Sequence, residues 1–172
     1  MKEVFTRFKA DKSLLLYNDD YFTFLIESIR NAKKAIYITM FIITVADNKG
    51  CTRAKEFIDE LVCAGLRGVS IKVVLGDSED ADIKISNLTS FKYMAQKGVP
   101  VRYFSSSKTD SSVHSKYAII DGEFIVVGSH NWTRNALTVN NECSIAVFSK
   151  EAAMKLSAEF FKVWESAKEE CI

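Results

Sequence analysis

Histidine, proline and glycine are scarce in this chain, which has two histidines, one proline and seven glycines among 172 residues. With 48% hydrophobic and 26% charged residues, this composition excludes a disordered or low-complexity chain. The formal net charge is only +1, which excludes a strongly basic protein whose overall field attracts nucleic acid. Any polyanion must therefore be bound by a local group of residues.

Metal-ligand spacing and long apolar runs are missing as well. The four cysteines are dispersed and form no CxxC pair, so the sequence predicts neither a metal site nor a cofactor. The longest apolar run, residues 35–46, is well short of the ~20 residues that span a bilayer. The N-terminus lacks the apolar core of a signal peptide. We therefore expect a cytoplasmic protein without a stable membrane anchor.

Hydrophobic periodicity predicts an α/β fold in one domain that spans residues 1–172. Up to residue 104, strands and helices alternate, which implies right-handed crossovers and a mixed, mostly parallel β-sheet flanked by helices on both faces. The predicted strands are 14–17, 35–43, 69–75 and 99–104, and the predicted helices are 18–34, 53–66 and 88–97, with an acidic loop at 76–86. A hairpin, a strand at 142–148 and a helix at 151–168 follow.

The hairpin gathers the polar residues that can carry chemistry. Asp121-Gly122 between two apolar runs is a signal for a type I′ turn. A two-residue loop puts Lys116 opposite Val127 and His114 opposite Ser129. Strand alternation then brings four side chains to one face: His114, Lys116, Ser129 and Asn131. One additional loop residue would send the second pair to the other face.

Several of these residues have alternative roles. The Lys116 ammonium lies among apolar neighbours, so it either faces an anion or extends to water. Asp121 suits the turn better than a catalytic role, and His130 is predicted to point away from the other four. Glu142 can fix the tautomer of a catalytic histidine, although spacing alone does not decide this. Trp132 fits either a core or an interface.

These residues match a known pair of motifs. His114, Lys116 and Asp121 fit the HxKxxxxD motif, and Gly128, Ser129 and Asn131 fit the companion GSxN motif. The chain resembles the phospholipase D superfamily, and within it the small single-motif members of the bacterial endonuclease and Zucchini-like types.

The resemblance implies a role for each residue. His114 would attack phosphorus and form a phosphohistidine. Lys116, Asn131 and Ser129 would hold the non-bridging oxygens, and Glu142 would hold His114. Asp121, Gly122 and Gly128 would be structural, and no metal would be required.

The mechanism of that family uses two histidines, one as nucleophile and one as general acid. A chain with one motif is therefore expected to form a homodimer with a shared active site. Four cations are candidates for substrate contacts at the rim, with a solvated surface charge as the alternative for each: Lys49, Arg53, Lys108 and Arg134.

The function expected from the sequence is that of a metal-independent phosphodiesterase, a nuclease that cleaves DNA or RNA and favours single strands. A phospholipase D-type enzyme acting on cardiolipin or phosphatidyl headgroups is the first alternative. A nucleic-acid-binding subunit without turnover is the second. A nuclease subunit of a larger defence or repair assembly also fits the sequence.

Overall fold

The computed structural model describes residues 5–104 and 112–169, which form a seven-stranded mixed β-sheet with helices on both faces. The strands are β1 (Lys12–Tyr17), β2 (Ala35–Met40), β3 (Ala46–Asp47), β4 (Gly50–Cys51), β5 (Ser70–Leu75), β6 (Val101–Tyr103), β7 (Tyr117–Ile120), β8 (Phe124–Gly128) and β9 (Cys143–Phe148). The helices are α1 (Asp19–Asn31), α2 (Arg53–Leu66), α3 (Ala81–Gln96), α4 (Arg134–Thr138) and α5 (Lys150–Ser166). Strands β3 and β4 form a separate small hairpin.

The order of strands in the large sheet is β1-β9-β8-β7-β2-β5-β6. Strands β2, β5 and β6 pair in parallel, whereas the four pairings from β1 to β2 are antiparallel. As a result all strands of the sheet except β7 and β9 run in the same direction. The predicted α/β fold with a mixed sheet between helices is confirmed.

The two faces of the sheet are covered by different helices. Leu25 of α1, Phe57 of α2 and Met94 of α3 pack in one apolar core with alternate residues of the central strands. The intervening strand residues face α5, whose Phe160 and Trp164 complete a second core. Because strand side chains alternate between faces, strands buried on both sides appear in the sequence as continuous apolar runs.

Helix α3 begins earlier than the sequence predicted. The side chain of Asp80 accepts hydrogen bonds from the backbone N–H groups of Asp82 and Ile83, which caps the helix and lets it start at Ala81. The acidic segment therefore ends in a helix cap, and only its first part is a loop. None of the helices in the described part of the chain is long and apolar enough to cross a bilayer.

The hairpin has the predicted turn but a different register. Asp121 and Gly122 both have positive φ, and Glu123 N–H bonds Ile120 C=O at 2.9 Å, as a type I′ turn requires. The ladder, however, pairs Ile120 with Phe124, so Glu123 is one additional residue. The predicted pairs Lys116–Val127 and His114–Ser129 are wrong by one position, and Gly128 N–H instead donates to Lys116 C=O.

Candidate active site

An exposed imidazole and a half-buried ammonium meet just before β7. The Nζ atom of Lys116 lies 3.1 Å from Nδ1 of His114 and donates to its backbone carbonyl at 2.6 Å. The ring of Phe41 lies 4.2 Å from the His114 ring, and Lys116 Nζ is 4.9 Å from the centroid of that phenyl ring. The three side chains therefore form one cluster at the carboxyl end of β2.

Glycine is required beside this cluster. A Cβ atom on Gly76, the first residue after β5, would lie 2.4 Å from the carbonyl oxygen of Val113 and 3.3 Å from Cα of Phe41. Only a residue without a side chain lets these backbone segments approach so closely. The close approach holds Val113, the residue before His114, against the ends of β2 and β5.

Partial burial lowers the pKa of Lys116, and the negative charge of Glu142 opposes this shift. The effect of Glu142 indicates that its carboxylate lies close enough to influence Lys116. A half-buried ammonium in this environment interacts more strongly with an anion than a fully solvated lysine does.

Glu142 and Ser129 form a second polar cluster. Ser129 Oγ donates to Oε2 of Glu142, while Asn140 Nδ2 donates to Oε1 at 3.0 Å. The backbone N–H of Cys143 donates to Ser129 Oγ at 3.1 Å. Within the described residues no hydrogen bond joins Glu142 to His114. In the single chain Glu142 therefore orients Ser129, and its predicted role in holding His114 stays a prediction.

Asn131 connects this part of the chain to the segment after β2. Its Oδ1 accepts the backbone N–H of Ile42 at 3.2 Å. Because a backbone N–H can only donate, this bond fixes which end of the amide is the oxygen. The Nδ2 group has no hydrogen-bond partner in the described part of the chain, so it remains available to an anionic oxygen.

The second histidine is not part of this cluster. His130 is fully buried, its Nδ1 is 2.8 Å from Ser144 Oγ, and its ring stacks on Tyr21 at 4.1 Å. Burial lowers the pKa of His130, although Glu142 opposes the shift. Trp132 is also buried and donates to the Tyr21 hydroxyl at 3.1 Å, so it lies in the core and not at an exposed surface.

The motif glycine and aspartate make structural contacts. A Cβ atom on Gly128 would lie 2.1 Å from Oγ and 2.4 Å from Cα of Ser144. The Asp121 carboxylate accepts backbone N–H groups from three successive residues, at 2.7 to 3.1 Å: Lys33, Lys34 and Ala35. Burial alone would raise the pKa of Asp121, but these three donors lower it overall. Gly122 supplies the second positive φ of the turn.

The candidate rim cations differ in their surroundings. Arg134 Nε bonds Asp47 at 2.7 Å, which lowers the pKa of that carboxyl to about 2. Arg53 pairs with Asp19 and donates to the Leu137 carbonyl. Lys49 is exposed, and Lys108 lies outside the described residues. Because intramolecular partners already hold both arginines, their predicted substrate contacts gain no support from this geometry.

Phe41 was not predicted from the sequence, because an aromatic residue inside a long apolar run is typical of a core. Its contacts with His114 and Lys116 form only when β2 and the segment before β7 come together. Within residues 5–104 and 112–169, no group of three or more His, Cys, Asp or Glu side chains is arranged to hold a metal ion.

Comparison with known proteins supports one family. The family model described as "Cardiolipin synthase, PLD-like domain" matches residues 25–164. A mitochondrial cardiolipin hydrolase from Chlamydomonas reinhardtii is 33% identical over 59% of this chain and 43% of its own length. The virion nicking-joining enzyme of vaccinia virus (strain Copenhagen) is 27% identical over 81% of this chain and 31% of its own length. The chain thus spans less than half of both relatives.

Solved structures agree with the fold. The phospholipase D family member Nuc from Salmonella typhimurium superposes with a TM-score of 0.76 at 22% identity, covering 94% of this chain and 99% of that one. NucT from Helicobacter pylori gives a TM-score of 0.72 at 20% identity, covering 91% and 98%. Since the family model covers most of the chain and the fold agrees, the chain belongs to the phospholipase D superfamily.

Proposed function

We propose that this protein is a metal-independent phosphodiesterase that cleaves nucleic acid, with a preference for single strands, through a phosphohistidine intermediate in a homodimer. The observation that carries the proposal is the exposed imidazole of His114 in contact with the partly desolvated ammonium of Lys116. An imidazole provides a nucleophile, and the ammonium together with the Asn131 amide provides donors for the charge that develops on phosphorus oxygens.

The reaction proceeds in two balanced displacements. First, Nε2 of His114 forms a bond to phosphorus while the bond from phosphorus to the leaving oxygen breaks, and that oxygen takes a proton from a second imidazolium. Water then attacks phosphorus, its proton passes to the second imidazole, and the N–P bond breaks. The products are an alcohol and a phosphate monoester, and both imidazoles return to their initial states.

The resting contact of His114 must change before attack. An ammonium can only donate, so Nδ1 accepts from Lys116 and a neutral His114 carries its proton on Nε2. That tautomer has no lone pair on Nε2. A bound phosphate that draws Lys116 to its own oxygen releases Nδ1, which can then carry the proton and leave Nε2 free to attack.

The second imidazole is expected to come from a second copy of the chain, because His130 is buried. An exposed apolar row offers a surface for that copy. Leu15, Ile145 and Val127 are consecutive cross-strand neighbours on the face that α5 only partly covers. Leu15 is 58% exposed and Val127 38% exposed, and neighbouring exposed apolar residues are typical of an interaction surface. This row, which we call the apolar row, lies next to the strand ends that carry Ser129 and Glu142.

The virion nicking-joining enzyme supports a nucleic acid substrate, because nicking and joining are reactions of nucleic acid strands. An acidic rim favours a second candidate, a lipid phosphodiester of the cardiolipin type. The segment that follows β5 exposes Glu79, Asp80 and Asp82 at the edge of the sheet that also holds His114. Negative charge at this edge opposes a long polyanion more than it opposes a substrate with one or two phosphates.

One panel of substrates tests the proposal. Labelled single-stranded DNA, double-stranded DNA, RNA and cardiolipin vesicles are incubated with the protein in excess EDTA. We expect cleavage of single strands, complete loss of cleavage in His114→Ala, and no loss in Thr89→Ala, an exposed control on α3. Turnover of cardiolipin alone would establish the lipid candidate. Nucleic acid binding without turnover would support a binding subunit, and loss of activity in EDTA would refute the metal-free mechanism.

A further inference from the structure

Asn87 of α3 is fully buried and uses its whole side-chain amide on the backbone of two other segments. Its Nδ2 donates to the carbonyl of Phe41 at 2.8 Å and to the carbonyl of Gly76 at 2.9 Å. Its Oδ1 accepts the N–H of Ile43 at 3.0 Å. In the described part of the chain Asn87 makes no hydrogen bond to the side chains of His114, Lys116 or Asn131. Nothing in its sequence context marks it as functional.

The backbone groups that Asn87 holds belong to the ends of two neighbouring parallel strands. Residues 41–43 follow β2, and Gly76 follows β5. The two strand ends are joined by the bond from Gly76 N–H to the Met40 carbonyl at 2.9 Å. The ladder between β2 and β5 ends there. Beyond it, the side chain of Asn87 connects residues 41–43 and Gly76 to α3.

The segment after β2 carries the contacts that define the candidate active site. The ring of Phe41 lies against both His114 and Lys116. The N–H of Ile42 holds the oxygen of Asn131. A shift of this segment therefore displaces the nucleophile, the cation and the amide together.

We propose that Asn87 is a positioning residue that sets the geometry of His114, Lys116 and Asn131 through residues 41–43. The inference rests on the proposed phosphodiesterase function for its kinetic consequences. The position requires two donors and one acceptor in a compact side chain, a set that Asn provides. Asp offers no donors when ionised, and an apolar residue of similar size leaves three buried backbone groups without partners.

The test compares Asn87→Ala with Ser90→Ala. Ser90 is equally buried one helical turn further along α3, and its hydroxyl donates to the Ile43 carbonyl and accepts from Val45 N–H. Both substitutions remove buried hydrogen bonds from the same helix. Only the first removes bonds to Phe41 and Gly76. In Ser90→Ala the Ile43 carbonyl keeps a donor in Ser86 Oγ at 3.2 Å, so this variant is the matched control for a loss of stability.

The first readout is independent of activity. The chain has two histidines, so imidazole proton spectra contain only His114 and His130. The Phe41 ring shifts the His114 resonances because the two rings are 4.2 Å apart. In Asn87→Ala we expect the His114 signals to move toward their positions in a Phe41→Leu reference variant, with the His130 signals as internal reference. In Ser90→Ala they should stay in place.

The second readout is kinetic. Displacement of reacting groups by about 1 Å costs on the order of 100-fold in rate, so we expect kcat of Asn87→Ala to fall about 100-fold with KM changed less than about threefold. Ser90→Ala should lose less than about fivefold in kcat at a similar drop in melting temperature. If Asn87→Ala does not fold, Asn87→Ser, which keeps one donor, should give the same changes at smaller size.

The outcomes separate this inference from the proposed function. If the His114 signals stay in place in Asn87→Ala, or move equally in Ser90→Ala, the positioning role is refuted whatever the activity. If the signals move as expected but the wild-type protein cleaves no phosphodiester, the proposed function is refuted, while the positioning role of Asn87 through residues 41–43 stands. An equal loss of kcat in both variants would mean that Asn87 contributes stability alone.

Discussion

Replacement of Asp121 tests whether the aspartate of the motif acts through structure. The carboxylate accepts the backbone N–H groups of Lys33, Lys34 and Ala35, which connect the end of α1 to the start of β2. Asp121 also has a φ of 55°, in the left-handed region. A substitution can therefore remove the carboxylate acceptor, the tolerance for this φ, or both. The variants Asp121→Ala, Asp121→Gly and Asp121→Asn separate the two effects.

The magnitudes follow from these contacts. The donors are partly exposed and can bind water when the carboxylate is lost, so each bond contributes about 0.7 kcal/mol, at the low end for hydrogen bonds. Asp tolerates the left-handed region because its short polar side chain bonds locally, and loss of this tolerance in Ala costs about 1 kcal/mol more. We expect Asp121→Ala to lose about 3 kcal/mol and Asp121→Gly about 2 kcal/mol. Asp121→Asn keeps Oδ1 and tolerates this φ, so it should lose about 1 kcal/mol.

The effect depends on pH in a defined direction. The pKa of Asp121 is lowered in the folded state, so the folded state binds fewer protons at this group than the unfolded state. The stabilisation is therefore present above the unfolded pKa of about 3.9 and is lost as the pH falls through the lowered pKa. The difference in stability between wild type and Asp121→Asn should shrink below about pH 4.

Thermal unfolding measures these differences. For a domain of this size 1 kcal/mol corresponds to about 3 °C, so the melting temperature should fall by about 9 °C in the Ala variant, 6 °C in the Gly variant and 3 °C in the Asn variant. Well below the melting temperature of the Asn variant, its kcat should be within about tenfold of the wild-type value. Removal of a catalytic group causes a larger loss. Equal melting temperatures for the Ala and Gly variants would refute the argument from φ. A 1,000-fold loss of kcat in a stable Asn variant would refute the structural role.

Three further predictions concern the motif and the proposed dimer. Gly128→Ala forces a Cβ atom to within 2.4 Å of the Ser144 backbone, so we expect it to destabilise the chain by more than about 3 kcal/mol in denaturant unfolding, and a change below 1 kcal/mol would contradict the close approach. Burial lowers the pKa of Lys116, so kcat/KM should decline on the alkaline side of its pH profile. Lys116→Arg should have a lower maximum of kcat/KM and show that decline at higher pH. If the alkaline decline stays at the same pH in this variant, Lys116 is not its source. Leu15→Lys combined with Val127→Lys should convert the proposed homodimer to an inactive monomer in light scattering. An active monomer, of the wild type or of this variant, would refute the shared active site.

Local pattern was sufficient to predict most elements of the fold. Helix α2 has the bounds that were predicted from its apolar spacing and its terminal glycine, and the strands near residues 36, 72 and 145 lie where β-branched runs predicted them. The type I′ turn at Asp121-Gly122 was also identified, because the turn depends on the φ preferences of two adjacent residues. Helix α3 was predicted too short, since its acidic first turn and its Asp80 cap were interpreted as a loop.

The sequence by itself determined which chemical groups are available: one motif, an imidazole at His114, an ammonium at Lys116 and amide or hydroxyl donors in GSxN. Tertiary structure alone decided how they meet. It placed Glu123 as an additional residue that shifts the hairpin register, directed Glu142 to Ser129, and brought Phe41 and Asn87 to the site. The reason is physical: secondary structure depends on residues that are close in the chain, whereas Asn87 and Ile43 are 44 positions apart and meet only when helix and strand ends pack together.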